Sequence, residues 1–170
     1  MPFFLAMDAN SMFKDKRSGK IALIAHCILN QNSRASGLAE RSSVITEIAE
    51  FLTRNEIGII QMPCPELAYA GVSRQPQTKD QYDNVTFRRQ CRKIAEELAN
   101  QIQEYAKCGI KLKLVIGVDG SPSCGVNETS GILIEELRFA LDNKKISVPF
   151  YGIHYECLKD DVVKLRRYIE

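Results

Sequence analysis

Short, nearly continuous apolar runs alternate along this chain with longer segments whose apolar residues recur every three or four positions. The runs predict four strands, and the first two are expected to be buried on both faces. They are KIALIAH at 20–26, IGIIQM at 57–62, KLKLVIGV at 111–118 and ISVPFYGIH at 146–154. Pro149 places the fourth strand toward an edge of the sheet, because proline cannot donate to the hydrogen-bond ladder.

Amphipathic helices are predicted after each strand. The first begins near Ser42 or Ser43, either of which can cap it, and the longest covers 85–107 and ends before Gly109. Two more are expected around 132–141 and 160–170. The polar segments 28–41 and 67–84 are predicted to be loops, the second long enough for an active-site or lid loop.

Strands and helices that alternate in this way imply right-handed crossovers between parallel strands. The predicted fold is α/β, a three-layer, mostly parallel flavodoxin- or Rossmann-like sheet with helices on both faces and strand order 2-1-3-4. We expect a single domain at 19–170, preceded by an N-terminal appendage at 1–18 for which the pattern predicts no structure.

Composition and charge narrow the function classes. A chain of 170 residues, 45% of them hydrophobic, suffices for one compact domain. Twenty-three basic and 21 acidic residues give a formal net charge of +2, without blocks of like charge, so neither a nucleic acid nor a membrane is expected as a partner. The apolar MPFFLAM lacks a basic region before it and is followed by charged residues, which argues against a signal peptide and for a cytoplasmic protein. No oligomeric state is predicted.

Three of the six cysteines follow the carboxyl ends of the first three predicted strands. They are Cys27, Cys64 and Cys124, and the chain contains no CxxC pair. Because the carboxyl ends of neighbouring parallel strands meet at one edge of a sheet, their thiolates are expected to converge there. Three sulfur ligands suit either a [4Fe-4S] cluster with one open iron or a zinc ion that keeps a water.

The other cysteines are weaker candidates. Cys91 lies on the apolar stripe of the longest predicted helix and Cys108 near its end, so both are expected to be packed. Cys157, after the fourth strand, remains open as a buried thiol, a fourth ligand or a sulfur acceptor.

Carboxylates and hydroxyls beside these cysteines are candidates for proton transfer and substrate contact. Glu66, two residues beyond Cys64, is a candidate general base or acid, with a capping role as the alternative. Asp119 is a second catalytic candidate, or it forms an Asx turn. Ser121 is a catalytic candidate and Ser123 a substrate-binding one; each can donate to substrate or cluster sulfur, or satisfy loop backbone.

Arginines and histidines complete the candidates. Arg34 and Arg74 could hold an anionic or carbonyl-bearing substrate with the guanidinium fork. His26 is expected to be packed or capping, and His154, at the end of the fourth strand, could reach the site.

The segments AHCILNQNSR, MPCPELAYAGVSRQP and GSPSCG resemble, in order, the three motif blocks of the DUF523 family, which includes the thiouracil desulfurases. The resemblance spans about 21–125. It implies a [4Fe-4S] cluster on Cys27, Cys64 and Cys124 whose fourth iron takes up the sulfur of a thiocarbonyl, while water replaces sulfur at carbon. Asn30 stands where the family has glycine, no Tyr-Asp-Gly follows Arg34, and Ala70-Gly71 replaces a glycine pair, which predicts a divergent, desulfurase-related branch.

We therefore expect a cluster-dependent enzyme that acts on a small thiolated molecule of nucleobase type. Material purified in air is expected to lose the cluster or to carry zinc in its place. The alternative is a flavodoxin-like binding or sensor domain that holds a nucleotide or zinc at the same edge. Neither GxGxxG nor GxxxxGK[ST] follows any predicted strand, which argues against nucleotide binding.

Overall fold

Four parallel strands form a single sheet in the order β2-β1-β3-β4, as the sequence predicts. The computed structural model describes residues 13–169, so the first twelve residues of the predicted appendage at 1–18 lie outside the described residues. The strands are β1 (Lys20–Ile24), β2 (Gly58–Gln61), β3 (Lys111–Val118) and β4 (Phe150–Ile153). Every neighbouring pair is parallel, and this confirms the α/β fold class.

The helices are α1 (His26–Leu29), α2 (Thr46–Arg54), α3 (Pro65–Ala70), α4 (Lys79–Tyr82), α5 (Val85–Lys107), α6 (Ile132–Asn143) and α7 (Leu158–Leu165). Short 3-10 turns occupy Gln31–Ser33, Tyr155–Cys157 and Arg166–Tyr168. Helix α5 packs along α6, and α2 packs against α7. Right-handed crossovers put α2 on one face of the sheet and α5 and α6 on the other, which gives three layers.

The central strands carry the core. Residues 22–24 of β1 and 114–116 of β3 are fully buried. The prediction that the second strand is buried on both faces is wrong: Gly58 is exposed and the other residues of β2 are only half-buried, because β2 lies at an edge. Strand β4 forms the opposite edge, as Pro149 predicts.

The predicted serine caps of the first amphipathic helix are also wrong. Helix α2 begins at Thr46, and Ile45 precedes it without a side-chain cap. The Ser43 carbonyl accepts a hydrogen bond from the Gln31 amide, and the Ile45 amide donates to the Ile28 carbonyl. These contacts tie the segment to the chain after β1 and delay the start of the helix.

Both predicted loops contain short helices. Helix α1 overlaps the start of the predicted loop 28–41, and a 3-10 turn lies within that loop. Helix α3 overlaps the start of the predicted loop 67–84, and α4 lies near its end. Local signals explain α3 and α4: Pro65 opens α3, and the Thr78 and Gln81 side chains form a capping box at α4. Helices of four to six residues are too short to show an apolar period.

Within 13–169, no helix is long and apolar enough to cross a membrane.

Candidate active site

A cavity of about 330 Å³ opens at the carboxyl edge of the sheet. It brings together all the residues that the sequence predicts for the site: Cys27, Arg34, Cys64, Glu66, Arg74, Asp119, Ser121, Ser123 and Cys124. A larger cavity of about 600 Å³ lies elsewhere, between α2 and α7, and its walls contain none of these residues.

Each cysteine of the cavity is positioned by a different element. Cys27 lies in α1, just after β1, while Cys64 precedes α3 as its N-cap. The Leu67 amide donates to the Cys64 sulfur at 3.4 Å, so the thiol itself caps the helix. Cys124 lies in the loop between β3 and α6 and is 6% exposed.

Glycines around the Cys124 loop allow it to pack closely against the scaffold. A side chain on Gly131, at the start of α6, would collide with the backbone of Ser123 and Cys124, and one on Gly117 of β3 would collide with the Cys124 carbonyl. Gly125 faces the loop's own carbonyls. These small residues therefore fix the position of Cys124.

Burial disfavours the charged form of all three thiols. It raises the pKa of Cys124 well above the ordinary value, and the proximity of Cys64 and then Cys27 adds to the effect. Burial is likewise the largest cause that raises the pKa of Cys27, opposed by Arg34, and of Cys64, opposed by the Leu67 amide. A bound cation would offset this cost, since thiolates are the form that binds metal.

Glu66 is held in the cavity wall by partners on both oxygens. The Ser123 hydroxyl donates to Oε1 at 2.5 Å, and the Ser121 hydroxyl lies 3.4 Å from the same atom. On the other side, Arg74 Nε lies 3.5 Å from Oε2. Glu66 is buried in the wall of the cavity, with only 9% of the residue exposed.

Arg74 is a buried cation whose hydrogen bonds go mainly to backbone carbonyls. Its guanidinium donates to the Ser33 carbonyl at 2.8 Å and the Gly71 carbonyl at 3.1 Å, and it lies 3.9 Å from the Cys64 sulfur. Its Nε lacks a hydrogen-bond partner within the described residues. This arrangement favours a role in holding Glu66 and Cys64 over the substrate contact that the sequence suggests.

Asp119 and Ser121 mainly organise the loop that carries Cys124. The Asp119 carboxylate accepts from the Val126 and Asn127 amides at 2.9 and 3.1 Å and from the Asn127 side chain. The Ser121 hydroxyl accepts from the Cys124 amide at 3.1 Å. These contacts correspond to the turn-forming alternative, in which both side chains satisfy the backbone.

His154 reaches Asp119 rather than the thiols. Its Nε2 lies 3.2 Å from Asp119 Oδ2, and its backbone amide donates to Asp161 at 2.7 Å. His26 lines the cavity, its carbonyl accepts from Gln61, and burial lowers its pKa.

Sequence reasoning missed Tyr155 and Gln31. The Tyr155 hydroxyl lies 3.9 Å from the Cys27 sulfur, and Gln31 Nε2 donates to that hydroxyl at 3.1 Å. Arg34 lies over the Tyr155 ring, 5.0 Å from its centroid. Burial raises the pKa of Tyr155 to about 12. The position of Tyr155 just after the fourth strand was the available signal.

The remaining cysteines lie outside the cavity. Cys91 is buried on α5, as predicted, and burial raises its pKa to about 12. Cys108 follows α5 and is half-buried. Cys157 is exposed, which contradicts its interpretation as a buried thiol. It is the last residue of the 3-10 turn Tyr155–Cys157.

The donor set can be compared with the two metal groups that the sequence suggests. Among residues 13–169, no three Cys, His, Asp or Glu side chains are placed to hold a single metal ion. A zinc ion needs its ligands within about 2.0–2.3 Å of one point. In an iron-sulfur cluster each thiolate binds a different iron, so the sulfurs stand farther apart. Cys27 and Cys64 are half-buried and Cys124 is buried, and together they line one cavity with thiols, the donors that an iron-sulfur cluster takes.

The comparison with known protein families gives a match that covers most of the chain. Residues 19–160 match the family described as "Putative 2-thiouracil desulfurase". The chain belongs to this family. The match includes the three cavity cysteines and every other candidate residue of the cavity.

A further comparison gives a relative of similar length. The chain is 37% identical over 151 residues to the uncharacterized protein MJ0003 of Methanocaldococcus jannaschii, and the alignment covers 89% of this chain and 95% of that protein. No solved structure matches the chain.

Proposed function

We propose that this member of the thiouracil desulfurase family is a [4Fe-4S]-dependent enzyme that removes sulfur from a small thiocarbonyl compound of thiolated-nucleobase type. The observation that carries the proposal is the convergence of Cys27, Cys64 and Cys124 with Glu66 on one cavity. The family's description names a desulfurase of 2-thiouracil and supports this substrate class.

The proposed reaction is a substitution without net redox change. The thiocarbonyl reacts with water, the carbon-sulfur bond breaks, a carbon-oxygen bond forms, and the products are the carbonyl compound and hydrogen sulfide. When bound to the three cysteines, the cluster would supply an iron free of protein ligands, a soft Lewis acid suited to sulfur.

Glu66 is the proposed proton carrier. Water must lose a proton as it adds to carbon, and the departing sulfur must gain one, so a single carboxylate in the cavity can serve both steps. Ser123 and Arg74 hold the two oxygens of Glu66 in place. This fixed geometry reduces the reorganisation needed during proton transfer.

Arg34 is the proposed substrate contact. It lines the cavity, and its Nε donates to the Leu38 carbonyl at 3.1 Å, which leaves its other nitrogens able to donate to a substrate carbonyl or to developing negative charge. The guanidinium also lies over the ring of Tyr155, in position for a cation–π interaction. Ser121 and Asp119 act by positioning the Cys124 loop.

The test is turnover of 2-thiouracil by protein reconstituted with iron and sulfide without oxygen. We expect equal amounts of sulfide and uracil from the wild type and from Cys157→Ala, a control at an exposed cysteine outside the cavity. Cys64→Ala should give neither product. If the reconstituted wild type releases no sulfide from 2-thiouracil, other thiolated bases or thioamides, the proposed activity is wrong.

A further inference from the structure

Tyr155 is the only described side chain from beyond β4 whose hydrogen bond reaches a cavity cysteine. It begins the 3-10 turn that follows β4, whereas Cys27 follows β1, and β3 separates these two strands in the sheet. Its hydroxyl nevertheless lies 3.9 Å from the Cys27 sulfur, within hydrogen-bonding range for sulfur.

Gln31 determines the direction of this hydrogen bond. Its Oε1 receives the backbone amides of Glu40 and Arg41 at 2.9 and 3.3 Å, and because an amide N–H can only donate, this atom must be the oxygen. The other end of the side chain is therefore the NH₂ group, which donates to the Cys27 carbonyl at 2.8 Å and to the Tyr155 hydroxyl at 3.1 Å.

A phenol has one proton to donate. Since the Tyr155 oxygen accepts from Gln31, its own proton is free to point at the Cys27 sulfur. Gln31 is 1% exposed, so water does not compete for its amide. The backbone amides of Glu40 and Arg41 therefore fix the orientation of the Gln31 side chain, and Gln31 fixes that of the Tyr155 hydroxyl.

We propose that Tyr155 is a positioning residue that donates a hydrogen bond to the Cys27 sulfur in a direction set by Gln31. For the cluster-bound form the inference rests on the proposed function: a donor to a ligand sulfur favours the more negative, reduced state of a cluster and so raises its reduction potential.

Tyr155→Phe removes the hydroxyl and keeps the ring under Arg34. In the metal-free protein, we expect Tyr155→Phe to lower the urea midpoint more in the wild type than in a Cys27→Ala background, because the hydrogen bond to sulfur is lost only where the sulfur is present. Tyr168→Phe, a tyrosine that packs on Tyr151 away from the cavity, is the matched control and should shift the midpoint equally in both backgrounds.

The cluster-loaded protein supplies a second measurement, in which Tyr155→Phe should lower the reduction potential relative to both the wild type and Tyr168→Phe. Equal shifts of the urea midpoint by Tyr155→Phe in the wild type and in Cys27→Ala overturn the inference whether or not a cluster is bound. A larger shift in the presence of Cys27, in a chain that takes up no iron, would support the role of Tyr155 and contradict the proposed function, so the two failures are distinguishable.

Discussion

At the residue scale, Glu66 is the cavity carboxylate best placed for proton transfer. The hydroxyl of Ser123, which is remote in sequence, holds one of its oxygens, and the guanidinium of Arg74, from the segment just after α3, lies beside the other. Asp119, the other catalytic candidate, has its oxygens occupied by the loop and by His154. This difference supports the proposal that Glu66 carries the proton and that Asp119 positions the loop.

Glu66→Gln should lower the rate of sulfide release by roughly 100-fold or more, because an amide of the same shape cannot carry the proton. Its iron and sulfide content should match the wild type, since the three thiols are unchanged. Glu128→Gln, at an exposed position of the loop after Cys124, should leave the rate unchanged. A Glu66→Gln variant with wild-type turnover would remove Glu66 from the mechanism.

Arg74→Met should destabilise the fold by about 3 to 5 kcal/mol, the usual cost of leaving one partner of a buried ion pair without its counter-charge. The side chains of Arg74 and Glu66 are 4% and 11% exposed, so water screens the pair poorly. The measurement is urea unfolding. The double variant Glu66→Gln, Arg74→Met should recover part of the lost free energy of unfolding. Equal free energies of unfolding for the wild type and Arg74→Met would mean that the pair does not stabilise the fold.

At the scale of elements, regular and long segments were predictable and short ones were not. Helix α5 and strand β3 have the bounds that apolar spacing predicts, 85–107 and 111–118. The short helices α3 and α4 depend on side-chain caps, which leave no periodic signal, and α1 is a single turn without a side-chain cap. The start of α2 shifted because backbone hydrogen bonds to the chain after β1 replaced a serine cap.

Gly131 at the start of α6 gives a test at this scale. Gly131→Ala would place a Cβ 2.6 Å from the Cys124 amide nitrogen, too close for any real contact, so the loop must shift. We expect a loss of about 1–3 kcal/mol of stability by overpacking, and reduced iron uptake because Cys124 moves.

Gly58→Ala is the matched control for that variant. Its Cβ would lie 3.4 Å from the Ile21 side chain, an ordinary contact, on a strand that carries no ligand. Iron uptake should be unchanged in Gly58→Ala. Normal iron uptake by Gly131→Ala would show that close packing of this glycine does not position Cys124.

At the scale of the whole molecule, parallel topology brings the three cysteines together. The sequence could predict this convergence, because it follows from strand order alone. It could not predict the pairing of Arg74 with Glu66 or the reach of Tyr155 to Cys27, since both depend on the path of irregular segments. The first motif block, which has Asn30 in place of glycine and lacks Tyr-Asp-Gly, also contains Gln31, the residue whose side chain donates to Tyr155.

The metal-free protein should lose stability as the pH rises above about 9. Burial raises the pKa of Cys91 from 9.0 to about 12, and burial also raises that of Tyr151. Between the unfolded and folded values the unfolded chain releases the proton and the native chain retains it, so rising pH favours unfolding by up to about 1.4 kcal/mol per pH unit for each such group. Urea midpoints from pH 7 to 10 measure the contribution of Cys91, since that of Tyr151 begins only above pH 10, and a flat profile would contradict the burial of Cys91.

The measurement that tests the central claim most directly is iron and acid-labile sulfide content, with the visible spectrum, after reconstitution without oxygen. About four irons and four sulfides per chain in the wild type and in Cys157→Ala, both lost in the alanine variants of Cys27, Cys64 and Cys124, are the predicted result. Zinc alone, or no metal with every thiol free in the wild type, would contradict the cluster and favour a binding domain at the same edge of the sheet.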